Sequence, residues 1–176
     1  MRRSELNAAE YKRFHACALG VSLLAAALVA TLVFAFVLLG VQVTDEDMMP
    51  SLRPADVLVL SRLSKYIRSP QRGDICLIEK GETAYLGRVV GLPGERVQIQ
   101  DGSVYIGGIY LDESSYAQGV ALDMEPMTLR AIEYLVLPDD RGALMERGDL
   151  LRPLGVDRIR GTVVLRVSPL ARVSVF

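Results

Sequence analysis

Few side chains in this sequence can act as a nucleophile, a general base or a metal ligand. There is one histidine, His15, and there are two cysteines, Cys17 and Cys76. A zinc ribbon or a thiol-redox pair needs Cys or His clustered at short spacing, so neither chemistry is expected and no metal or cofactor is implied. Beyond residue 44 the only lysines are Lys65 and Lys80. Carboxylates are better represented, with Asp45, Glu46 and Asp47 in a row and Asp139 beside Asp140. Two carboxylates sharing one proton can activate water, although spacing alone does not pair Asp47 with either Asp139 or Asp140.

The elements that must carry these groups divide the chain in two. No Asp, Glu, Lys or Arg lies between Phe14 and Thr44, and the apolar run 16–43 exceeds the roughly 20 helical residues that cross a hydrocarbon core. It predicts a transmembrane helix. A cleaved leader would end at a small-residue site, whereas this run passes directly into the acidic residues 45–47. Arg2, Arg3, Lys12 and Arg13 precede it, so residues 1–15 are expected to be a cytoplasmic tail at the plasma membrane and residues 44–176 an extracytoplasmic domain. Cys17 and Cys76 then sit at different levels and form no disulfide, and His15 is out of reach of the outer domain. A formal net charge of −1 with no basic run excludes nucleic acid as the expected partner.

The outer domain reads as mainly β and antiparallel. Residues 57–60, 75–78, 85–90, 97–100, 104–106, 134–137 and 162–167 are rich in Val, Ile, Leu and Tyr and are bounded by Gly, Pro and Asp. Asp101-Gly102 predicts a type I′ hairpin turn, and Lys80-Gly81 joins a second pair of strands. Residues 112–133 read as an irregular excursion from the sheet.

Along this domain the sequence resembles the type I signal peptidase family. Asp47-Met48-Met49-Pro50-Ser51-Leu52, followed by Ala55-Asp56-Val57-Leu58-Val59, is similar to that family's first box. Arg72-Gly73-Asp74-Ile75 and Arg88-Val89-Val90-Gly91-Leu92-Pro93-Gly94-Glu95 resemble the next two. Asp101-Gly102-Ser103-Val104-Tyr105-Ile106-Gly107-Gly108 and Ile159-Arg160-Gly161-Thr162-Val163 continue the match in order. The resemblance implies a transmembrane helix followed by a signal-peptidase-like antiparallel β domain, with substrate added as a strand beside the first box. Met48, Leu52, Tyr85 and Leu86 match its apolar substrate pockets and could equally be core.

The departures carry the functional expectation. In the family a Ser attacks the scissile carbonyl and a neutral Lys takes its proton, but here Asp47 and Gly87 occupy those positions. In the last box, Pro138-Asp139-Asp140-Arg141-Gly142-Ala143-Leu144-Met145-Glu146-Arg147-Gly148, the supporting Asp139 and Arg141 remain, while Leu144 and Glu146 replace the family's Ser and Asp. Ser51 matches the family's Thr after proline and reads as a turn residue. The expectation is a membrane-anchored pseudoenzyme, close to the inactive signal-peptidase-like proteins of Gram-positive pilus assembly. Its expected role is to bind an exported peptide or pilin, with sortase as a further partner. The alternative is an active signal peptidase with a divergent site. A third reading is a regulator that binds true signal peptidase or its substrates. Asp47 would be solvated or paired with Arg53, Arg88 or Arg141.

Overall fold

The computed structural model describes residues 15, 18–32, 37–81, 83–146 and 148–176. It forms two compact units, Met1–Val37 and Leu38–Phe176. In the first, residues 18–32 are helical and exposed along their length. Among the described residues no helix is long and apolar enough to cross a membrane. Residues 16, 17 and 33–36 of the expected span lie outside the described residues. The end of that span is corrected, because β1 (Leu38–Gln42) pairs antiparallel with β2 (Val57–Ser61) in the register Leu38↔Ser61 to Gln42↔Val57. The same apolar residues that would sit in lipid satisfy their backbone groups on a neighbouring strand instead.

The second unit is mainly antiparallel β. Its strands continue with β3 (Ile75–Lys80), β4 (Thr83–Gly91), β5 (Arg96–Gln100), β6 (Ser103–Ile106) and β7 (Ile109–Tyr110). They end with β8 (Met124–Thr128), β9 (Glu133–Leu137), β10 (Leu154–Gly155), β11 (Ile159–Ser168) and β12 (Ser174–Val175). One sheet runs β1-β2-β11-β3-β4-β9-β10 with β12 added to β11, and a smaller sheet runs β7-β6-β5-β8. Every strand expected from the sequence is present. The excursion at 112–133 contributes β8, which pairs with β5 through Arg96↔Thr128 and Val97↔Met127.

Two features position the site. From Tyr85 onward β4 is buried on both faces, as a central strand must be, and it separates two apolar clusters. Leu86 faces Val43, Met48, Leu52, Leu58 and Leu77. Tyr85 belongs to the other cluster, with Ile78, Val89, Tyr134 and Leu144. The second feature is an incomplete pairing. β3 covers one edge of β4 from Lys80↔Thr83 to Ile75↔Arg88, whereas β9 covers the other edge only over residues 88–91. Among the described residues, no strand is paired with β4 on that side before Arg88.

Candidate functional site

The segment bearing Asp47 is a closed loop. The Val43 amide donates to the Asp56 carbonyl and the Ala55 amide to the Val43 carbonyl, both at 2.9 Å, which ties the loop at its base. Within it the Met49 amide donates to the Glu46 carbonyl at 2.9 Å and the Leu52 amide to the Met48 carbonyl at 2.8 Å. Met48 and Leu52 are fully buried and anchor the loop to the core, each worth about 1.5–3 kcal/mol of apolar burial. Asp47 is half-buried, and its carbonyl accepts from the Asp140 amide at 2.8 Å.

That contact joins the loop to a buried ionic layer. Asp139 is fully buried and takes a bidentate pair from Arg88, Nε to Oδ1 at 2.8 Å and Nη2 to Oδ2 at 2.6 Å. Arg88 also donates to the Gly73 carbonyl at 2.8 Å and to Ser51 Oγ at 3.0 Å, and it stacks 4.4 Å from the Tyr116 ring centroid. Buried charges persist where every lobe is paired in this way. Arg141 is 2% exposed and donates to the Pro138 carbonyl and to Glu113. Tyr116 donates to the same Glu113 oxygen at 3.0 Å, and its hydroxyl is held far above the usual phenol range by burial, then by the Glu113 charge and hydrogen bond. Asp140 is half-buried, accepting from the Gly142 amide at 2.9 Å and from Gln118 Nε2 at 3.0 Å.

The structure separates the two carboxylates that the sequence offered as partners for Asp47. Asp139 is committed to Arg88, whereas Asp140 lies next to Asp47 through the backbone contact. Of the three cations considered for Asp47, Arg88 and Arg141 hold Asp139 and Glu113, and Arg53 is exposed. Gly87 is tightly enclosed: a Cβ there would lie 2.7 Å from Val136 Cγ1 and 3.5 Å from the Leu137 carbonyl oxygen. Leu144, at the family's Ser position, is a core residue with no exposure. Neither lysine fills the gap, because Lys65 Nζ donates to the Ile159 carbonyl at 2.5 Å and Lys80 pairs with Asp149. Cys76 is buried beside Thr162. Among the described residues no cluster of three or more His, Cys, Asp or Glu could hold a metal.

Three of the four expected pocket residues, Met48, Leu52 and Leu86, share one apolar cluster, and Tyr85 lies on the opposite face of β4. Beside this edge of β4 is a cavity of about 40 Å3, lined by Thr44, Asp45, Leu77, Ala84, Tyr85 and Leu86 among others, so that of the four expected residues Tyr85 and Leu86 border it while Met48 and Leu52 do not. It has room for a methyl-sized group. Glu113, Tyr116, Gln118, Arg166 and Arg172 were not singled out in the sequence. These polar residues fall in stretches with no distinctive spacing, and only the fold brings them to the loop.

A mainly antiparallel β unit with an open strand edge, an apolar cavity and an acidic loop beside it is an arrangement to which an extended peptide can add as a strand. The comparisons give the family. The model for signal peptidase, peptidase S26, matches residues 16–143, and the chain belongs to that family. It is 30% identical over 131 residues to a probable signal peptidase I-2 of Synechocystis, an alignment covering 70% of this chain and 60% of that protein. It is 32% identical over 156 residues to signal peptidase I T of Bacillus subtilis, covering 81% of this chain and 80% of the relative. A crystal structure of a signal peptidase I from Enterococcus faecalis aligns with 54% of this chain and 97% of that chain, with a TM-score of 0.42 and 22% identity.

These relatives overturn the expectation of a non-cleaving pseudoenzyme. They carry the name of signal peptidase I, a peptidase, and nothing among them points to an inactive protein or to pilus assembly. The inference from Asp47 and Gly87 went too far: replacing one family's Ser and Lys removes one mechanism of amide cleavage and leaves others open.

Proposed function

We propose that this chain is a membrane-anchored endopeptidase of the signal peptidase type, acting on exported proteins through a divergent, carboxylate-based site. The observation that carries the reading is the uncovered edge of β4 at residues 83–87, floored by Leu86 and Leu77 and ending where Asp47 meets Asp140. Substrate adds there as a strand and gains affinity from backbone hydrogen bonds. The cavity of about 40 Å3 admits a small side chain such as alanine. Leu77, Tyr85 and Leu86 line the cavity, Met48 and Leu52 lie fully buried in the apolar cluster with Leu77 and Leu86, and Asp139 and Arg141 are the supporting residues. The part of the apolar run that precedes β1, residues 16–37, serves as the anchor, with the β unit outside the plasma membrane. Exported peptides are the proposed partners. Pilins are one proposed class of them, with sortase as a further partner, on the resemblance that Asp47 and Gly87 suggest in the sequence.

In this mechanism Asp47 and Asp140, neighbours through the Asp140 amide and the Asp47 carbonyl, divide the work, one carboxyl group acting as base and the other as acid once substrate is bound. The base takes a proton from water as the water oxygen bonds to the scissile carbonyl carbon, and the acid gives its proton to the carbonyl oxygen. On collapse the C–N bond breaks and the proton first taken passes to the departing amine. One hydroxyl proton of the tetrahedral centre returns to the other carboxylate, leaving a new carboxyl terminus. The test uses the full chain in detergent and a preprotein with an Ala-x-Ala site, the new N-terminus being read by mass spectrometry. Asp47→Asn and Asp140→Asn should each slow cleavage by at least about 100-fold. Absence of cleavage by the wild type, or full cleavage by both variants, overturns the proposal.

A further inference from the structure

The C-terminal segment, beyond the stretch that the family model matches, reaches back to the loop that carries Asp47. β12 pairs with β11 through Leu165↔Val175 and Arg166↔Ser174, and the intervening 3-10 turn Leu170–Arg172 has no buried residue. Leu170 is 88% exposed and Val175 82%, so apolar burial does not explain why the tail folds back. Its polar contacts do. Asp56, 1% exposed at the base of the loop, receives Arg172 Nη1 on Oδ1 at 3.1 Å and Arg166 Nη1 on Oδ2 at 3.4 Å. The Ser51 carbonyl receives Arg166 Nη1 at 2.8 Å and Arg172 Nη2 at 3.4 Å. Asp56 Oδ2 in turn accepts the Arg53 amide at 3.0 Å, and Arg166 Nε donates to the Arg172 carbonyl at 2.6 Å, which locks the two arginines together.

Ser51 is thus gripped from two directions, its hydroxyl by Arg88 and its carbonyl by the C-terminal pair. We propose that Arg166 and Arg172 are positioning residues that fix the loop of residues 43–56, and Asp47 with it, through Asp56 and the Ser51 carbonyl. The inference rests on the function proposed above for its catalytic consequence, and on contacts within the loop for its structural one. A reacting group displaced by about 1 Å can lose on the order of 100-fold in rate, so releasing a clamp at the base of the loop should reach the chemistry without touching the substrate edge.

The test compares full-length wild type, Arg172→Met, Arg172→Lys and Arg166→Met in detergent, by amide exchange and by cleavage of the Ala-x-Ala preprotein. Amides of Met49, Leu52 and Arg53 should exchange about tenfold faster in Arg172→Met, while those of the β5–β6 hairpin keep their protection and report an intact fold. In the same variant kcat should fall about tenfold with KM within twofold. Arg172→Lys should lie between, since one ammonium can meet Asp56 but cannot also reach the Ser51 carbonyl. Unchanged loop exchange in both Met variants overturns the clamp. Faster exchange with unchanged kcat overturns its positioning role. If the wild type cleaves nothing, the proposed function falls by itself, and the exchange comparison alone decides whether the arginines hold the loop.

Discussion

Gly87 shows how far a single position has been absorbed into its surroundings. The strand places it opposite Cys76, and Val136 Cγ1 occupies the space that any side chain would enter, 2.7 Å from where a Cβ would lie. Valine has one preferred rotamer and a short stem, so it cannot swing clear as a lysine tip would. Gly87→Ala should therefore destabilise the β unit by about 1–3 kcal/mol, the usual cost of overpacking, against the smaller gain from stiffening the unfolded chain. Val136→Ala opens room at the same spot, and in the double variant the two losses should be less than additive. Denaturant unfolding of the four proteins measures this coupling. Strict additivity would mean that Val136 is not what closes the position. The same enclosure means that placing the family's Lys at residue 87 requires rebuilding β9 as well.

At the level of elements, the turn at Asp101-Gly102 is the clearest case of sequence dictating geometry. Both residues adopt positive φ, 50° and 72°, as a type I′ turn requires. Gly102 is further constrained because a Cβ would sit 2.5 Å from Val120 Cγ1. Gly102→Ala should cost about 1–2 kcal/mol from the left-handed backbone alone, with the Val120 clash added. The thermal midpoint should drop by several degrees, while an unchanged midpoint would show that the hairpin tip bears no load. Long strands and this turn were legible because alternation and turn chemistry are local signals. β1 was not, since Leu38, Leu39 and Val41 continue an apolar run whose length argues for a membrane helix, and only pairing with β2 distinguishes the two. β7, β10 and β12 are two-residue strands, too short for an alternating pattern to show. The first box and the Asp139–Arg141 pair of the site could be read from motif order. The choice of Asp140 over Asp139 as the neighbour of Asp47 could not, because it turns on which carboxylate Arg88 takes.

For the molecule as a whole, one sheet holds both the edge of β4 proposed to take substrate and the strands of the proposed C-terminal clamp, so the stability of its middle governs both. Cys76 on β3 lies at that middle, fully buried with its Sγ 3.9 Å from Thr162 Oγ1 on β11. Burial pushes its thiol from 9.0 up to about 12, partly offset by the Thr162 contact. Between those two values the unfolded chain releases this proton and the folded one keeps it. Folding stability must therefore fall as pH rises through that window. The gap corresponds to on the order of a few kcal/mol for complete passage, a large share of the 5–15 kcal/mol that a domain has in total. Other groups, Tyr116 among them, also weaken the fold in alkali, but a comparison with Cys76→Ala cancels what the two proteins share. Wild type should be the more stable at pH 8 and lose its advantage progressively between pH 9 and 11, measured as urea unfolding free energies at each pH. Parallel decline of the two proteins would instead mean that a thiolate is accommodated between β3 and β11, and that the sheet joining clamp to substrate edge admits water at its centre.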